Sequence, residues 1–101
     1  METEVGYCPQ PEDIDYIVAE IRQRRVDQDV KWGGPAHDDT HHYYDWLSYI
    51  NKFREKAYGA AVRFNLGSGP EEAYEDALID IAALAVAAIQ SHRRIRFMGR
   101  S

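Results

Sequence analysis

Between Ala77 and Ile89 every residue except Asp80 is Ala, Leu, Ile or Val, and none of them breaks a helix. A helix that is apolar on nearly all sides has to be covered on more than one of them. The run is too short for the roughly 20 residues a bilayer span takes, so its cover must be protein. Two other helices of the same chain can cover part of it. The remaining side, lined by Ala82, Ala83, Ala85, Ala87 and Ala88, suits close approach by a helix of a second copy. Asp80 lies among Leu78, Ile79, Ile81 and Ala82, where an unpaired carboxylate is costly, so it needs a partner: a cation, or an Arg or Tyr from a neighbouring helix. The expectation is an all-α chain of three main helices forming a bundle, completed by oligomerisation.

The rest of the chain divides around this element. Residues 1–11 lack periodicity and read as an extended arm that carries Cys8. A first helix starts near Glu12–Asp13, where acidic residues suit the helix N-terminus. Its stripe is Ile14, Ile17, Val18 and Ile21, and beyond Ile21 it becomes polar or frayed. Trp32-Gly33-Gly34-Pro35 ends it, and Pro35–Thr40 reads as a loop. Thr40 or Asp39 is the expected N-cap of a second helix. There Tyr43, Trp46, Leu47, Ile50, Phe53, Ala57, Ala60, Ala61 and Phe64 share one face, while Lys52, Arg54, Glu55, Lys56 and Arg63 mostly take the other. Leu66-Gly67-Ser68-Gly69 reverses the chain, and Pro70 opens a third helix running from about Glu71 to Arg96. Residues 12–98 then form one helical domain, and 99–101 a tail.

Composition removes several function classes. A net charge of −5, from 12 Lys and Arg against 17 Asp and Glu, argues against bulk nucleic-acid binding, which needs surplus positive charge. One cysteine supports neither an internal disulfide nor a cysteine zinc site. No signal-like segment opens the sequence, so a cytoplasmic protein is expected, without membrane association. No Walker loop, dinucleotide fingerprint or catalytic triad pattern is present.

Four groups of residues carry possible chemistry. Trp32 beside two glycines can stack on a base where backbone approaches a ligand; equally, it can be tucked against the bundle. His37, Asp38, Asp39, His41, His42 and Asp45 are metal-ligand types, and His41 and Asp45 share a helical face, although polarity at a helix N-terminus explains the cluster more simply. Glu72, Asp76 and Asp80 recur every fourth residue, with Glu55 available from the second helix, an acid set of the kind that holds Mg²⁺. Arg93, Arg94 and Arg96 close the third helix, suited to its dipole or to the phosphates of a nucleotide.

The order Glu20-Ile21-Arg22-Gln23, Lys31-Trp32-Gly33, His37-Asp38, Asp45-Trp46-Leu47 and Asp80-Ile81-Ala82-Ala83-Leu84-Ala85-Val86 resembles small MazG-like proteins, many of them phage-encoded, of the all-α nucleoside triphosphate pyrophosphohydrolase superfamily. The resemblance runs over most of the chain on short motifs. It implies a dimer or tetramer and Mg²⁺-dependent cleavage of a nucleoside triphosphate to monophosphate and pyrophosphate, with acids supplied by a Glu-Glu-x-x-Glu motif and a Glu-x-x-Asp motif. Here the first motif's acidic positions fall on Lys52, Phe53 and Lys56, and in the second Ala77 replaces the glutamate, leaving Asp80. Two lysines at a metal site repel the ion. The expectation is therefore a catalytically degenerate oligomer that binds a nucleotide or nucleotide-derived signal through Trp32, Lys52, Lys56, Arg93 and Arg94. From a phage such a protein would sequester a host defence signal. The rival readings are an active Mg²⁺-dependent hydrolase using Glu55, Asp76 and Asp80, and a structural oligomer without ligand.

Overall fold

A computed structural model describes residues 11–67, 69 and 71–98. Cys8, the arm before Pro11, Pro70 and the tail 99–101 lie outside the described residues. Among those described there are four helices and no strand: α1 (Pro11–Trp32), α2 (Gly34–Asp38), α3 (Tyr43–Asn65) and α4 (Glu71–Met98). None is long and apolar enough to cross a membrane.

α4 is the centre of the arrangement. At 28 residues it is about 42 Å long. α3 returns antiparallel along one side of it, with Tyr43 level with His92 and Trp46 packed against Leu84 and Ala87. α1 lies on another side and runs in the same sense as α4, since Arg24 reaches Asp80 and Arg25 reaches Gln90. α1 and α3 make no close backbone approach to each other among the described residues.

Trp46 of α3 packs against Leu84 and Ala87 of α4, and the rest of the core consists of small residues. Among the described residues, the buried hydrophobic side chains are Trp46, Leu84 and five alanines: Ala57, Ala60, Ala77, Ala83 and Ala87. Alanines let two backbones come close, whichever helix supplies the second one. The expected contact there was a second copy; the structure instead seals Ala83 and Ala87 within the chain, while Ala82, Ala85 and Ala88 are partly covered. A helix of the same chain, tethered by a short turn, reaches a surface of small residues at less entropic cost than a separate molecule.

The α1–α4 contact is polar. After Ile21 the inward face of α1 carries Arg24, Arg25 and Gln28 instead of large apolar side chains, yet the helix continues unbroken to Trp32. Arg24 Nη1 donates to Asp80 Oδ1 at 2.7 Å and its Nη2 reaches Asp76 Oδ1 at 3.4 Å, so the partner Asp80 requires is an arginine. Arg25 binds Asp29 at 2.9 Å and Asp38 at 3.5 Å. Gln28, buried in the same seam, accepts from Arg25 through Oε1, and its Nε2 has no hydrogen-bond partner among the described residues.

This division leaves much apolar surface uncovered. Ile14, Ile17 and Val18 on α1, and Tyr43, Leu47 and Phe64 on α3, are exposed although periodicity assigned them to inward faces. With α1 and α3 on different sides of α4 and no close approach between them, the chain has fewer shared faces than a closed bundle, and among the described residues these stripes are left exposed.

Candidate functional site

The connection between α1 and α3 is more ordered than its composition suggests. Gly33 closes α1 with φ +105°, a left-handed value open to glycine, and its N–H donates to Asp29 O at 2.9 Å. Pro35 then starts a second, short helix instead of the expected loop, because proline fits a first helical turn that needs no N–H from it. His42 caps α3, in place of Thr40 or Asp39: its ring accepts from Tyr44 N–H at 3.4 Å, while its own N–H donates to Asp45 Oδ2 at 2.8 Å. Thr40 bonds back to His37 O at 2.7 Å, and Asp39 turns away to α4.

There Asp39 meets Arg94. Oδ1 accepts from Arg94 Nη2 at 2.7 Å and from Ser91 Oγ at 2.8 Å, and Oδ2 accepts from Arg94 Nε at 3.1 Å. The Arg94 guanidinium holds the Asp39 carboxyl below the usual carboxylate range, with Ser91 assisting. Its neighbour Asp38 is displaced the other way, because burial raises its carboxyl more than Arg25 lowers it. Arg94, expected to grip phosphate, is engaged here by a carboxylate of its own chain.

With α2 fastened to α4, a cleft of about 720 Å³ opens between the end of α1 and the middle of α3, floored by Leu84 of α4. It exists because α1 and α3 occupy different sides of α4. Trp32, Lys52, Lys56 and Glu55 all line it, so four side chains singled out in the sequence come together. Lys31 joins them, its Nζ 5.5 Å from the centre of the Trp32 ring, and Lys56 Nζ stands 5.4 Å over Phe53. Trp32 is 39% exposed, so much of its surface stays available. On the inner wall the His41 ring is ringed edge-on by His37, Trp46 and Tyr49, with centroids 4.9, 5.1 and 5.3 Å away.

Lys31 and Tyr49 were missed by sequence reasoning. The signal was there: Tyr49, Lys52, Phe53 and Lys56 recur at three- and four-residue spacing, one continuous face of α3 that is half aromatic and half cationic. Three lysines against the single carboxylate Glu55 among the lining residues make the cleft cationic in a chain of net charge −5.

The remaining expected site residues lie elsewhere. Asp76 and Asp80 face α1 and are paired with Arg24, apart from Glu55, so the proposed three-acid metal set is not assembled. Among the described residues no three His, Cys, Asp or Glu side chains converge on one point. This includes the His37–Asp45 cluster, whose members separate into the lysine cleft, the α3 cap and the Arg94 anchor. A cleft of about 380 Å³ between α1 and α4 is lined by Glu20, Asp27, Glu72, Glu75 and Asp76, with Arg24 as its cation. Arg93 borders a third opening, of about 910 Å³, between the start of α3 and the end of α4. The chain matches no family model, no curated protein and no solved structure.

Proposed function

We propose that the lysine cleft binds a nucleotide or a nucleotide-derived anion without hydrolysing it. The observation that carries this reading is the convergence of Lys31, Lys52 and Lys56 with the exposed face of Trp32 in one cleft. Phosphate oxygens need cations, and three ammonium groups lining one cleft supply them. A base needs a flat apolar surface, and stacking on an aromatic ring contributes about 1–3 kcal/mol. Trp32 offers that surface beside the lysines, and His37, His41 and Tyr49 offer polar edges deeper in. The reading extends the MazG-like resemblance in a definite direction: lysines replace the acids that would hold Mg²⁺, so phosphate contacts are made directly. A phage-encoded oligomer of this kind would sequester a signal nucleotide of its host.

A second reading, Mg²⁺-dependent pyrophosphohydrolysis, draws support from the carboxylates of the α1–α4 cleft. Arg24, paired there with Asp76 and Asp80, competes with a metal for the same oxygens.

One experiment separates the two. The protein is incubated with linear and cyclic nucleotides, with and without Mg²⁺, following thermal stabilisation and pyrophosphate release. The binding reading expects stabilisation without pyrophosphate, lost in Lys52→Ala/Lys56→Ala and weakened in Trp32→Ala. Metal-dependent turnover that disappears in Asp80→Ala would replace it with the hydrolase. Silence across the panel would leave a helical oligomer without ligand.

A further inference from the structure

The exposed ridge of α1 and the α3–α4 groove have opposite charge and matching apolar character, and they lie at opposite ends of the molecule. Ile14, Ile17 and Val18 are 62, 48 and 44% exposed and form one stripe by helical spacing. The residues around them are acidic: Glu12, Asp13, Asp15 and Glu20 all precede the first basic residue of the helix, Arg22. The groove of about 910 Å³ has apolar walls that include Leu47, Ile50, Ile89 and Ile95, and its rim carries Arg93 and Arg96, with no carboxylate among its lining residues. Leu47 and Ile89 are more than half exposed there.

The ridge of α1 does not reach the groove of its own chain. Arg24 is level with Asp76 and Asp80, so Ile14–Val18 lie toward the start of α4, whereas the groove lies along Ala88–Arg96. At about 1.5 Å per residue along α4, the two are separated by about 20 Å or more. We propose that the groove is occupied by the first half of α1 from a second copy of this chain. Two antiparallel copies place the ridge end of each beside the groove end of the other. The exchange is then reciprocal, closing a two-fold dimer with two identical contacts. Ile14, Ile17 and Val18 enter between Leu47 and Ile89, while Asp15 and Glu20 approach Arg93 and Arg96. This assigns self-association to surfaces other than the alanine side of α4, and it holds whatever the lysine cleft binds.

The test is charge reversal followed by mixing. Wild-type protein at tens of micromolar is expected to show twice the monomer mass by light scattering coupled to gel filtration. R93E/R96E reverses the groove and D15K/E20K reverses the ridge; each alone is expected to weaken the dimer at least ten-fold. All four positions are exposed at the surface, and circular dichroism checks that both variants remain helical. Mixed in equal amounts, the two variants regain both complementary contacts and are expected to form a heterodimer. A monomeric wild type overturns the proposal. So does a dimer that withstands R93E/R96E, which would point to pairing of α1 with α1, and so does a mixture that stays monomeric.

Discussion

Replacing Asp39 by alanine tests whether one ion pair holds the candidate site in place. The carboxylate accepts three bonds from Arg94, at 2.7, 3.1 and 3.2 Å, and one from Ser91 at 2.8 Å. Both partners of the pair are under one third exposed, and Ser91 is buried, left on loss of Asp39 with only the longer 3.4 Å bond to Asp38 O. Bonds to charged groups contribute about 1.5–3 kcal/mol when buried and exposed pairs about 0–1, so losing this partly covered bidentate pair together with the Ser91 bond costs about 2 kcal/mol. For a domain of this size that lowers Tm by about 10 °C. The pair term itself is read from a double-mutant cycle of Asp39→Ala and Arg94→Ala, followed by thermal and denaturant melts at pH 7, with an expected coupling of about 1–1.5 kcal/mol. The pH dependence gives an independent check. Because the folded carboxyl titrates below its ordinary value of about 3.9, its stabilisation is complete above that pH. It is lost as pH falls through the lower, folded value. The difference between wild type and Asp39→Ala should therefore persist from pH 7 to 5 and shrink below about pH 4. A coupling within about 0.3 kcal/mol of zero, or a difference that is flat down to pH 2.5, would refute the assignment of Asp39 and Arg94 as the anchor.

Two further substitutions test the same segment. Asp38 titrates above its ordinary range because it is buried, so its contribution to stability is present below about pH 4 and lost as pH rises through the folded value. Asp38→Asn mimics the protonated side chain, so its Tm relative to wild type should improve between pH 3 and pH 7; a relative Tm that worsens or stays level would contradict the burial argument. Gly33→Ala puts a Cβ 3.2 Å from His37 Cβ at φ +105° and should cost about 1–2 kcal/mol, loosening the cleft wall as well. Gly34→Ala, with φ +73° and open space around it, carries the backbone cost alone and serves as the control in the same thermal melts.

The helices were legible in the sequence because their signals are local. The apolar run from Ala77 to Ile89 and the stripe through Trp46, Ile50 and Phe53 report their period residue by residue, and Gly33 marks the end of α1 because few other residues adopt its backbone angle. Part of the site was legible too, since Lys52 and Lys56 stand out against an acidic motif and Trp32 against its glycines. What the sequence did not determine was pairing. Asp39 has the composition of an N-cap, and its cap role passed to His42 because Arg94, remote in the chain, competes for its oxygens. Asp80 was known to need a partner, but only the parallel placement of α1 against α4 supplies Arg24 rather than a metal. The alanines of α4 announce close packing without naming the helix that packs; the short turn after α3 made the intramolecular answer the nearer one. Period and backbone freedom belong to a segment by itself. Which charge meets which, and which apolar face is left in water, depends on how rigid helices of unequal length fit around α4, and that is a property of the whole arrangement.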